Sequence, residues 1–101
     1  MIIYNITSKI DHEIVHEWVQ WQKDEHIPEV MSTGLFYEHR FFKLLGQDEA
    51  DGETYIVQFY ARDIDACETY IQLHSEKLRE GQIEKWGNNF ISFYSLLEAV
   101  Q

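Results

Sequence analysis

Leu35 to Ala61 read LFYEHRFFKLLGQDEADGETYIVQFYA, and this stretch holds two strands and the turn between them. Leu35 to Leu45 is long, rich in aromatics and free of Gly and Pro, as strand sequences are. Gln47-Asp48-Glu49-Ala50-Asp51-Gly52 is acidic and ends in Gly, the composition of a hairpin loop, and Thr54 to Ala61 is the returning strand. Two consecutive strands in mid-chain make the flanking segments decide the topology.

Before the hairpin, Ile2 to Ser8 alternates as a strand, with Ile2, Tyr4 and Ile6 on one face. Asp11 is the expected N-cap of a first helix, with Ile10 and Val15 at staple positions. That helix buries Ile14, Trp18 and Trp21 at i, i+4 and i+7. Pro28 is expected to end or kink it near His26, leaving a short turn from Pro28 to Ser32 that Gly34 stops. After the hairpin, Asp65-Ala66-Cys67-Glu68 fits a capping box for a second helix to about Arg79, with a stripe of Cys67, Ile71, His74 and Leu78. Gly81 and Gly87 bracket a short helical piece holding Ile83 and Trp86, and Phe90 to Leu97 is the last strand. The order β-α-β-β-α-β predicts an α+β, ferredoxin-like domain over residues 1–101, a four-stranded antiparallel sheet with two helices on one face.

Composition limits what such a domain binds. The chain has 101 residues, 45% of them hydrophobic, with 18 acidic against 8 basic residues and a net charge of −10. A field of that sign opposes nucleic acid and anionic membranes, which need clustered Lys and Arg, so neither is expected as a partner. No apolar run approaches the ~18–20 residues of a membrane span, and Met1-Ile2-Ile3-Tyr4 has no signal-peptide pattern, so a cytoplasmic protein is expected. Cys67 is alone, which removes disulfide and Cys-x-x-Cys chemistry and leaves a core thiol.

Two helices cover one face of a sheet, yet apolar residues occur on both. Ile2, Tyr4, Ile6, Val57, Phe59, Ile91 and Phe93 make one plausible helix-facing set. Ile3, Ile56, Tyr60, Tyr94 and Leu96 then fall on the other, mixed with Asn5, Gln58 and Ser92. An open apolar face of that size is unusual on a monomer, and covering it at ~25 cal/mol per Å² is worth many kcal/mol. A homodimer joined through its sheet faces is therefore expected, with the polar residues lining a cavity for a small molecule.

The element order, with Trp18-x-x-Trp21 and then His26-x-Pro28 closing the first helix, resembles the dimeric α+β barrel superfamily. That group contains small antibiotic-biosynthesis-type monooxygenases and haem-degrading enzymes. Within it the whole chain is most similar to a bacterial domain-of-unknown-function family. The matching residues are Met1-Ile2-Ile3-Tyr4-Asn5, His26-Ile27-Pro28-Glu29-Val30 with Gly34-Leu35-Phe36, and the Gly52 to Phe59 strand. The resemblance implies a cavity between helices and sheet, or inside the barrel, lined by Asn, Trp, Tyr or His. Asn5 stands where haem-degrading members place an asparagine, His74 is a loose match to their histidine, and no tryptophan falls in the third strand. No cofactor is expected.

His26, at the helix break, is the candidate catalytic residue. It either satisfies free carbonyls at the helix end or exchanges a proton near neutral pH at a cavity mouth. His74 is either a hydrogen-bonded core histidine or a cavity ligand. Arg40 either pairs with Glu38 or Glu53 or binds an anionic substrate. Asn5, Gln58 and Tyr60 are the polar component of the cavity. His12-Glu13-Ile14-Val15-His16 spells H-E-x-x-H, but both histidines fall far from the apolar arc of Ile14, Trp18 and Trp21. A solvated helix face is expected rather than zinc. Asp48, Glu49, Asp51 and Glu53 do not follow an EF-hand spacing, so no metal is expected. Trp18, Trp21 and Trp86 are core anchors. Two functions remain. One is a homodimeric small-molecule-binding or structural module. The other is a small cofactor-independent enzyme of monooxygenase or isomerase type, using His26 with Asn5, Arg40 or Tyr60 positioning the substrate.

Overall fold

The first strand, β1 (Ile2–Ile10), is buried on every second residue, and Ile2, Tyr4, Ile6, Ser8 and Ile10 form its inner face. A computed structural model describes all residues, Met1–Gln101. The other strands are β2 (Glu38–Lys43), β3 (Glu53–Ala61) and β4 (Phe90–Glu98), in the antiparallel order β2-β3-β1-β4. β1 and β3 are central, and β2 and β4 are the edges. The helices lie on one face, over a core that includes Tyr4, Ile6, Val30, Phe36, Phe59, Cys67 and Tyr70. The α+β, ferredoxin-like fold follows from the sequence pattern as expected.

Several boundaries differ from that pattern. The first helical run does not end at His26: α1 (Val15–Trp21), a π-helical segment Gln22–His26 and α2 (Ile27–Ser32) are continuous. Ile27 N–H reaches the carbonyl of Gln22, five residues back. This wider turn gives the Pro28 ring room where an α-turn would set it against the carbonyl of Asp24. The second run is also unbroken through α3 (Ile64–Tyr70), a π-helical segment Ile71–Ser75 and α4 (Glu76–Trp86). Gly81 therefore sits inside a helix rather than bracketing one. Ser75 Oγ donates to the Ile71 carbonyl at 2.7 Å, supplying a donor within the widened turn. The aromatic segment from Leu35 is strand only over β2.

The caps are shifted as well. Asp11 Oδ1 accepts the Glu13 N–H at 3.0 Å and closes a turn ahead of α1, whose N-cap position is Ile14. The cap of α3 is Asp63, not Asp65, with Oδ1 accepting the Ala66 N–H at 2.9 Å. Asp63→Ala is expected to cost about 1 kcal/mol, read as a fall in Tm of roughly 4–8 °C. Asp65→Ala should move Tm much less, and equal losses at the two positions would contradict this assignment.

One face assignment is overturned. Thr7 pairs with Phe93 and Ile6 with Tyr94, so Phe93 and Ile91 share the open face and Ser92, Tyr94 and Leu96 point toward the helices. Phe93 is 63% exposed and Ile91 55%. The β4 sequence is apolar on both sides, so its alternation does not choose a face, and the register with β1 does.

Candidate functional site

Antiparallel partners share a face, so the registers fix the open side of the sheet row by row. Glu38, Tyr60, Ile3 and Leu97 form one row. Arg40, Gln58, Asn5 and Ser95 form the next, and Phe42, Ile56, Thr7 and Phe93 the third. A polar row thus lies between two that are largely apolar. Its side chains are linked to their neighbours: Tyr60 OH donates to Gln58 Oε1 at 2.6 Å, Gln58 Nε2 to Asn5 Oδ1 at 3.1 Å, and Asn5 Nδ2 to Thr7 Oγ1 at 3.2 Å. One bond of the ladder crosses from β3 to β1 and the other two run along those strands, which pre-orders the polar groups. Arg40 flanks it, 3.5 Å from Glu38 Oε1 and 6.0 Å from the Tyr60 ring centroid. Asn5, Arg40, Gln58 and Tyr60 are therefore brought together, and of its two candidate carboxylates Arg40 pairs with Glu38.

His26 and His74 are elsewhere, in the helical layer across the sheet. His26 is 3% exposed. Its Nδ1 donates to the buried Gln22 Oε1 at 2.8 Å, and its ring stacks on Trp21 at 4.8 Å. The hydrogen bond spans the π-helical segment, so this histidine is held inside the helix rather than capping its end. Burial pushes its imidazole down to about 4. At neutral pH the ring is uncharged and packed, and the pairing of His26 with Asn5, Arg40 or Tyr60 does not occur within one chain. His74 is half-buried and stacked on Tyr70 with ring centroids 6.0 Å apart.

His12 and His16 face outward as expected. No group of three His, Cys, Asp or Glu side chains converges. At the hairpin, Lys43 Nζ sits 3.2 Å from Glu49 and 3.0 Å from Glu53, so those two carboxylates share one cation of the chain itself. Cys67 is buried, and burial raises its thiol further from ionisation.

One constellation has no counterpart in the sequence reading. Arg79, on α4, donates from Nη2 to Tyr4 OH at 3.3 Å, and its guanidinium carbon lies 3.9 Å from the Tyr94 ring centroid. Tyr70 packs on Tyr4 at 5.3 Å. Arg79 and Tyr94 border a cleft of about 340 Å³ between α4 and β4, lined also by Ile83, Asn88, Phe90, Ile91 and Ser92. A single arginine within a helix carries no sequence signal for this. Its phenol partner is 75 residues away.

The family model described as domain of unknown function DUF4286 matches residues 1–100. The chain belongs to this family. No curated protein matches the DUF4286 chain. Solved structures share its fold. An ethyl tert-butyl ether d (ethd) family protein from Bacillus halodurans superposes with a TM-score of 0.72 at 11% identity, covering 99% of this chain and 100% of that one. A dimeric ferredoxin-like protein from an uncultured marine organism gives 0.66 at 10% identity, covering 99% and 96%. SnoaB, a cofactor-independent oxygenase from Streptomyces nogalater, gives 0.62 at 13% identity, covering 99% and 94%. At these identities the likeness is one of fold. For the DUF4286 chain it agrees with the β-α-β-β-α-β order and with the sheet topology.

Proposed function

We propose that this DUF4286 protein is a homodimeric small-molecule-binding module, assembled through the open faces of two sheets with the polar ladder enclosed between them. The observation that carries this reading is the composition of the open face. Phe42, Ile91, Phe93 and Leu97 are all more than two-fifths exposed there. In a chain with 18 acidic residues, Glu38 is the only strand carboxylate in the open-face rows, since Glu53 and Glu98 pair with the inward Ile10 and Ile2, and Arg40 is paired with it. Two copies each carrying −10 repel almost everywhere else, so a face cleared of carboxylates is the one that can meet its own copy. The dimeric ferredoxin-like protein of the same fold supports this assembly. A cytoplasmic location is part of the same proposal.

The ligand reading rests on the ladder. Tyr60, Gln58, Asn5 and Arg40 present fixed donors and acceptors between apolar rows, the usual make-up of a small-molecule pocket. Light scattering at micromolar concentration should return twice 12.1 kDa for the natural chain. Phe93→Glu places a carboxylate in each copy's face and should give the 12.1 kDa monomer with an unchanged circular dichroism spectrum. A natural chain that is monomeric at that concentration would sink the proposal. For the ligand, native mass spectrometry of the dimer should show a non-covalent adduct that Gln58→Leu removes. Absence of any adduct leaves a purely structural dimer and refutes binding.

A further inference from the structure

We infer that the cleft between α4 and β4 is a second binding site, one that takes a small carboxylate with a compact apolar body, with Arg79 as its charge partner. The site opens mainly on the helix side of the sheet, and Ile91 at its rim is the one lining residue it shares with the open face. Four observations converge on it.

Arg79 has no carboxylate within ion-pair distance, whereas Arg40 and Lys43 do. Its head is nevertheless not loose. It is held by Tyr4 OH and lies flat enough against Tyr94 to bring the guanidinium carbon within 3.9 Å of the ring centre. A guanidinium has five N–H donors, and one of them is used here. The neighbouring phenols do not supply the missing anion. Burial raises Tyr4, Tyr70 and Tyr94 above their ordinary value, so each stays protonated beside the cation.

The walls describe the rest of the ligand. Ile83 is 59% exposed and shares the lining with Phe90 and Tyr94, while Asn88 and Ser92 add short polar groups. About 340 Å³ lies within the range of small-ligand pockets. Arg79 is the only charged residue of the lining, and one planar fork matches one carboxylate in a bidentate geometry. A phosphate dianion would ask for a second cation, in a chain whose overall field already repels it.

The test is titration of the full-length protein followed by amide NMR shifts, with benzoate as the probe. Benzyl alcohol has a similar body without the charge, and inorganic phosphate has charge without the body. Benzoate should bind with a Kd of about 1 mM or tighter and shift Arg79, Ile83, Asn88 and Ser92. Arg79→Gln should weaken it about tenfold or more, and Arg79→Lys, which keeps the charge but loses the fork, should fall between. Ile83→Glu, an exposed substitution that sets a carboxylate one helical turn from Arg79 on the same wall, where it would pair with the guanidinium, should abolish binding even if Arg79→Gln disturbs folding. Benzyl alcohol binding as well as benzoate, phosphate binding better than benzoate, or benzoate binding unchanged in Arg79→Gln and Ile83→Glu would each overturn the inference. Shifts confined to β1, β2 and β3 would instead report the open-face ladder.

Discussion

Between pH 6.5 and pH 4 the folded protein should lose about 3 kcal/mol of stability, and His26 should account for most of it. The imidazole has an ordinary value of 6.5 and burial pushes it down to about 4 in the fold. In that window the unfolded chain binds a proton that the folded chain does not. Stability therefore rises with pH across it, by about 1.4 kcal/mol per unit. Above 6.5 both states are neutral and the slope vanishes. Glu53 acts in a separate, lower window. Lys43 and the Tyr55 hydroxyl hold its carboxylate below the ordinary 4.5, so its contribution is intact above 4.5 and lost as pH falls through the lowered value. For a domain of ordinary stability, 5–15 kcal/mol, a loss of 3 is large. Urea unfolding at half-unit steps reads the slope, and imidazole NMR reads the midpoint. His26→Gln keeps a polar side chain beside Gln22 and should flatten the curve between 6.5 and 4 while lowering stability at pH 7 through the lost Trp21 stack. A His26 midpoint near 6.5, or the same slope in the variant, would show that the ring is not held neutral.

The same burial bears on the two functional readings. A histidine that stays neutral at pH 7, with Nδ1 committed to Gln22 and its ring against Trp21, is organised as part of a helix. The cavity-mouth reading of His26 rested on the helix break that Pro28 suggested there. The π-helical turn removes that break, and with it the exposed carbonyls a capping histidine would serve.

How much was legible in the sequence depends on the range of the cause. β1 was legible because Ile2, Tyr4 and Ile6 alternate with Asn5 and Thr7, and one face must be buried. The ladder was legible in outline because Asn5, Gln58 and Tyr60 sit at strand positions whose face follows from that alternation. β4 was legible as a strand but its face was not, since Phe90, Ile91, Phe93 and Tyr94 are largely apolar whichever way the strand turns. Its face comes from Ile6 pairing with Tyr94, a register that no local pattern contains. The π-helical segments were hidden because they depend on which carbonyl each N–H selects. Arg79 was hidden because its meaning lies in Tyr4 and Tyr94, which β1 and β4 deliver from opposite ends of the chain.

Gly52→Ala should cost about 3 kcal/mol or more, whereas Gly81→Ala should stabilise by about 0.5–1 kcal/mol. Gly52 precedes β3 at the foot of the acidic hairpin and has a φ of +148, where side chains are strained. Space is the larger obstacle. A Cβ there would lie 2.4 Å from the carbonyl oxygen of Ile10 and 3.1 Å from its carbon, and both are backbone. No rotamer change relieves such a contact, so the end of β1 and the start of β3 would have to separate where Ile10 pairs with Glu53. Ile10 is wholly buried, and Asp11 N–H donates to the Asn89 carbonyl at 2.9 Å. The shift would thus spread to the turn before β4. Gly81 has an ordinary helical φ and nothing within 4 Å of an added Cβ, so alanine there only removes the flexibility of the unfolded chain. Chemical denaturation of both variants reads the two signs directly. A Gly52→Ala protein within 1 kcal/mol of the parent would show that the close approach of β1 and β3 is not a constraint on the fold.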